Sequence, residues 1–139
     1  MASLIIPIKT YSMLVRPRQV IERIINIKGE PNTKGVAASA SLYFYTDAQL
    51  PTKFGRVIRI NPTTQIGSHA TVFLPASSFG EVYHVIQTEH PINIYLAFET
   101  TSEPNATADV SFFQMYTKDE NPGEGPQDPD MAAQLEVPV

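Results

Sequence analysis

The chain has no cysteine and no tryptophan among its 139 residues. Without a thiol there is no disulfide framework, no thiolate metal centre and no cysteine nucleophile, so packing and strand pairing supply all of the stability. Without an indole, the largest flat aromatic surface for stacking on a sugar ring is missing. The seven glycines are scattered, and none forms the cluster that cradles a phosphate. No uninterrupted apolar run approaches the roughly 20 residues that a membrane-spanning helix needs. No internal repeat recurs at a fixed period.

A surplus of basic charge is missing too. Of the formal net charge of −4, the segment from Lys118 to Val139 carries −5, one Lys against Asp119, Glu120, Glu124, Asp128, Asp130 and Glu136, which leaves +1 on residues 1–117. A body so nearly neutral has no field to steer it onto nucleic acid, and it repels its own copies weakly. The opening MASLIIPIKTYSMLV lacks a basic segment before its apolar run, Pro7 and Lys9 interrupt that run, and no small-x-small cleavage site follows. The expectation is a chain made without an export signal and cytoplasmic during synthesis, with no membrane or nucleic-acid partner.

What is present is alternation. From Val36 to Thr46, Val36, Ala38, Ala40, Leu42 and Phe44 fall on one side and Ala37, Ser39, Ser41, Tyr43 and Tyr45 on the other. From Ile92 to Glu99, Ile92, Ile94, Leu96 and Phe98 oppose Asn93, Tyr95, Ala97 and Glu99. Both are the period-2 pattern of half-buried strands, and the second is the best candidate for a central one. Strands are also expected over Leu4–Ile8, continuing after a bend through Tyr11–Val15, and over Phe54–Ile60, Ala70–Leu74, Glu81–Thr88 and Ala108–Thr117. Pro7 cannot donate to a central ladder, which assigns Leu4–Ile8 to an edge or to a contact with another chain.

Residues 18–28 are ambiguous. Val20, Ile21, Ile24 and Ile25 have helical spacing, but branched side chains favour a strand, and strand is the preferred assignment. The sum is an all-β fold, an antiparallel β-sandwich of seven to nine strands, jelly-roll or immunoglobulin-like, over residues 1–117. Residues 118–139 follow as an acidic Pro/Gly-rich tether ending in the apolar MAAQLEVPV.

Catalytic patterns are weak. His69, His84 and His90, with Glu81 and Glu89 near the last two, match no metal-ligand spacing. Glu99, Glu103 and Asp109 offer carboxylates without a defined separation. Ser77, Ser78 and Ser111 lack the elbow that activates a nucleophile. Asn105-Ala106-Thr107 is a sequon of no consequence without export. Arg16, Arg18 and Arg23 form a basic cluster around Pro17, read as a solvated edge that discourages aggregation. No catalytic residue, metal or cofactor is assigned, and the chain is expected not to be an enzyme.

Two readings of function remain. In the preferred one, strands apolar on both faces, such as Val82 and Ile86 against Tyr83 and Val85, pack on another subunit. A C-terminal arm, with Met131, Leu135, Val137 and Val139 as anchors, then docks on a neighbour, giving a self-associating structural subunit of a homo-oligomer or larger protein lattice. By analogy of architecture, such parts occur as capsid decoration, cement or tail components incorporated in a virion. The alternative is a carbohydrate-binding module using Tyr43, Tyr45 and Tyr95. Deleting Met131–Val139 is expected to lower the native mass without unfolding the body; an unchanged oligomer by size-exclusion with light scattering would count against the arm.

Overall fold

The computed structural model describes residues 2–31, 37–58, 68–89, 91–99 and 107–117. Seven strands, β1 (Ala2–Val15), β2 (Ile21–Gly29), β3 (Ser39–Tyr45), β4 (Gly55–Ile58), β5 (His69–Pro75), β6 (Ile92–Phe98) and β7 (Thr107–Thr117), and one helix, α1 (Phe79–Thr88), make up its regular structure, apart from two single 3₁₀ turns. The strands close into a barrel in the order β1-β2-β3-β5-β4-β7-β6. The expected antiparallel sandwich is therefore corrected on two counts: the sheet closes on itself, and β3 and β5 pair in parallel, from Ser39 opposite His69 to Tyr45 opposite Pro75.

Closure rests on two long strands that change partners. β1 pairs with β6 from Ala2 to Pro7 and with β2 from Ile8 to Val15, with a register shift between Ile8 and Thr10. β7 pairs with β4 from Thr107 to Asp109 and with β6 from Val110 to Thr117, with a shift between Val110 and Phe112. An extra residue bends a strand and strengthens its twist, so each passes from one part of the sheet to the other and the free edges of a sandwich disappear there.

The same bulges reset which residues face inward. In β1 the buried Leu4 and Ile6 are even-numbered, but beyond the bulge Tyr11 and Met13 lie opposite the buried Ile27 and Ile25. In β7 Val110 is buried, and after the shift Phe113 and Met115 pack on the core while Phe112 points out. Apolar residues at both even and odd positions of β7 thus make one inward face with a change of phase.

At Pro7 the strand β1 has its ladder partner on the β6 side only. The proline lies opposite Asn93 at the end of the β1–β6 ladder, and its carbonyl accepts from the Glu30 N–H at 2.7 Å. In an extended strand a residue's N and O point the same way, so the missing N–H faces β2 and costs the β6 ladder nothing.

The ambiguous residues 18–28 are strand from Ile21 onward, where Ile24, Ile25 and Ile27 are buried. The expected strand at Glu81–Thr88 is instead helix α1. Phe79, Val82, Tyr83 and Ile86 form an i, i+3, i+4, i+7 stripe, and all four pack on the core. Phe79 meets Phe44 edge-on at 5.1 Å and stacks on Tyr83 at 5.3 Å, while the Arg23 guanidinium sits 4.5 Å over the Phe79 ring. These contacts hold α1 across one end of the barrel and outweigh the strand preference of Val82, Val85 and Ile86. Among the described residues, no helix is long and apolar enough to cross a membrane.

The barrel interior is filled by Ile6, Ile25, Ile27, Leu42, Phe44, Val57, Val72, Ile94, Leu96 and Phe98, all essentially inaccessible to solvent. Each contributes about 1.5–3 kcal/mol by leaving water. Asn93 is buried on the outward side of β6, and its Nδ2 has no hydrogen-bond partner among the described residues.

β4 and β5 approach most closely at Gly55, opposite Val72, where φ is +152° and a Cβ would run into the Thr71 carbonyl oxygen. Gly55→Ala is expected to destabilise the fold by about 2–4 kcal/mol, from the unfavourable φ and the backbone clash together. Chemical denaturation checks this, and a loss under about 0.5 kcal/mol would show that the two strands can part at no cost.

Candidate functional site

Because the interior is packed, chemistry must lie on the outer face or at the ends. The outward residues of β1, β2, β3, β5 and β4 form rows across the ladders. One runs Leu14, Ile24, Tyr43, Phe73; the next runs Ser12, Asn26, Ser41, Thr71, Arg56; a third runs Thr10, Lys28, Ser39, His69, Ile58. The first row is apolar and the other two are mainly polar, so one wall of the barrel changes character along its length.

Tyr43 and Tyr45 both lie on this wall and both touch Phe73, at ring-centroid separations of 6.4 and 5.7 Å. The Arg56 guanidinium lies 6.0 Å from the same ring. Tyr95 is elsewhere. It belongs to β6, opposite Ile5 of β1 and Gln114 of β7, with Phe112 at 6.0 Å. In the barrel order β3 and β6 are separated by β2 and β1 on one side and by β5, β4 and β7 on the other. The structure thus brings two of the three tyrosines together and sets the third on another wall.

Along the second and third rows lie two shallow depressions of about 320 and 520 Å³ that share Thr10, Lys28 and Ser39. Asn26, Ser41 and His69 line the first and Lys9 the second, and among the described residues no carboxylate lines either. Ser41 Oγ donates to Asn26 Oδ1 at 2.8 Å. Ser39 Oγ and His69 Nδ1 share a hydrogen bond of 2.7 Å whose donor depends on the imidazole tautomer. Burial lowers the His69 pKa, which keeps the ring neutral near pH 7.

A serine bonded to a neutral histidine is half of a nucleophilic site. The other half is a group that orients the imidazole and donors for an oxyanion. Among the described residues no carboxylate is hydrogen-bonded to His69, and Ser39 lies in a flat strand rather than an exposed elbow. Sequence reasoning passed over Ser39, Lys28 and Asn26, whose outward alternation in neighbouring strands was their only signal.

The remaining candidates do not converge. His84 is exposed on α1, and its carbonyl accepts from Thr88 Oγ1 at 2.8 Å; His90 lies outside the described residues. Asp109 pairs with Lys53 at 3.0 Å in solvent, Glu99 is exposed, and Glu103 and Asn105 lie outside the described residues. The Ser78 and Ser111 hydroxyls donate to the carbonyls of Pro75 and Ala97, and the Ser77 N–H donates to Asp47. Among the described residues, no group of three His, Asp or Glu could hold a metal ion. Met131, Leu135, Val137 and Val139 lie outside the described residues.

The His69 shift sets a pH dependence. A folded pKa below the unfolded value of about 6.5 means that, as the pH falls through about 6.5, the unfolded chain takes up the proton first. Stability is therefore full above that pH, declines below it, and levels off once the folded ring is also protonated. Denaturation midpoints measured from pH 7.5 to 5 should show this decline, and His69→Gln should remove that component.

Compared with known protein families, with curated proteins and with solved structures, the chain shows no match.

Proposed function

We propose that this chain is a non-enzymatic structural subunit that assembles with copies of itself through the outer wall of its barrel. The observation that supports this is the exposure of large apolar side chains in two separate places. At the β1–β2 end, Leu14, Val15 and Val20 are each at least half exposed, beside the Tyr43–Phe73 row; on the β1–β6–β7 wall, Ile5 and Phe112 flank Tyr95. Single exposed apolar residues are ordinary, but clusters of them mark interaction surfaces. Two patches on different walls allow head-to-tail packing into rings or lattices, whereas one would favour a closed dimer. The C-terminal arm adds a tethered contact, which raises the local concentration of its docking site. By analogy of architecture, a decoration, cement or tail part of a particle is the kind of subunit that this suits.

A carbohydrate-binding role is the second reading. It is favoured by the position of Tyr43 next to Ser41, which lines a shallow depression together with Lys28 and Asn26. It now rests on Tyr43 and Tyr45 without Tyr95.

Light scattering of the native chain is expected to give a multiple of 15.4 kDa. Ile5→Lys with Phe112→Glu, and separately Leu14→Lys with Val20→Glu, should each lower that mass and leave the circular dichroism spectrum unchanged, because all four side chains are exposed. A monomeric native chain, joined to a glycan-array signal that Tyr43→Ala removes, would replace assembly with the second reading.

A further inference from the structure

The strand β1 loses a partner halfway along. On the side that faces β6, its ladder ends at Pro7 opposite Asn93, and from Lys9 to Val15 that edge has no strand partner among the described residues. All residues from Lys9 to Val20 are exposed, with Met13 at 37%, Leu14 at 51% and Val15 at 57%. α1 leans against this edge through Tyr83, which meets Tyr11 at 6.1 Å. This open seven-residue edge carries Tyr11, Met13, Leu14 and Val15, and an open edge with apolar side chains is a template for one more strand.

The tip beyond it is basic and strained. Arg16, Pro17, Arg18 and Gln19 form a turn closed by the Gln19 N–H donating to the Arg16 carbonyl at 3.2 Å. Pro17 at its second position and a φ of +66° at Arg18 make it a type II turn, whose third position favours glycine. An arginine held at positive φ there incurs backbone strain, which is retained where the side chain has a task. Glu22 is the one acidic residue between Met1 and Gly29.

We infer that residues 131–139 of a neighbouring copy add as a strand to the free edge of β1, with the acidic tether lying along the arginine tip. The inference rests on the assembly reading above and names where its arm docks. In MAAQLEVPV, Leu135, Val137 and Val139 alternate with Gln134, Glu136 and Pro138, so one side of an added strand is apolar and meets the side of β1 that carries Tyr11 and Met13. Pro138 is tolerated because an added strand is itself an edge. Five of the six acids of residues 118–139 precede Met131 and match Arg16 and Arg18 in sign. Thr117 lies opposite Ile92, the first residue of β6, so the tether leaves the barrel about 10 Å, two strand spacings, from where the β1 edge becomes free. Residues 118–130 span roughly 40 Å when extended, enough to reach an adjoining copy.

The absence of cysteine makes the test clean. Ser12→Cys and Glu136→Cys chains, mixed in equal amounts at low salt and mildly oxidised, are expected to give a mixed disulfide as the main product. Its yield should fall several-fold when Arg16 and Arg18 are both changed to Glu, and also at high salt. Circular dichroism confirms that the variants fold. A main product of Ser12→Cys joined to itself would overturn the inference in favour of direct pairing of two β1 edges. No disulfide with an unchanged native mass would overturn the docking site and leave the assembly reading standing. If the mixture stays monomeric but a chain carrying both cysteines closes on itself, the docking site holds within one chain and the assembly reading fails.

Discussion

The exchange of partners along β1 is the constraint on which the rest of this fold depends. Within fourteen residues the strand leaves β6, passes a proline and a bulge, and takes up β2. The bend closes one corner of the barrel, as the bulge in β7 closes the other. It also turns Tyr11 and Met13 to the inward side beyond the bulge, beside α1. The open edge is the unavoidable remainder: a strand that serves two sheets in succession leaves one side of each half without a partner. The closed corner, the inward turn of Tyr11 and Met13 and the open edge thus share one cause.

The outer wall divides its labour by row. Near the hairpin tip the rows are aromatic and aliphatic; toward the other end of the same strands they are hydroxyl, amide, amine and imidazole. At the polar end the neutral His69 is hydrogen-bonded to Ser39, with the donor set by the imidazole tautomer. The described outer surface thus carries apolar patches on two walls and a shallow depression between strands.

The candidate site was only partly legible in the sequence. Tyr43 and Tyr45 are two residues apart in one strand, so their common face follows from the pleat alone. Whether Tyr95 joins them depends on strand order, which no local pattern encodes. The same holds for Ser39 and His69, thirty residues apart and brought together by the parallel pairing of β3 and β5. The helix was present in the spacing of Phe79, Val82, Tyr83 and Ile86, yet the branched and aromatic residues that form the stripe also favour strands. Docking of Phe79 onto Phe44 and Arg23 decided between them.

What the sequence by itself determined was the inward set of each regular strand, such as Ala40, Leu42 and Phe44 or Ile92, Ile94, Leu96 and Phe98, all of them buried. It also determined the exclusion of thiol chemistry. Alternation is a property of the backbone pleat and needs no partner to be read. The tertiary structure decided the closure of the barrel, the parallel pair, the helix and the walls on which the tyrosines stand. Each of these depends on contacts between distant residues, and a single bulged residue in β1 or β7 is enough to exchange inside for outside in everything that follows it along the strand.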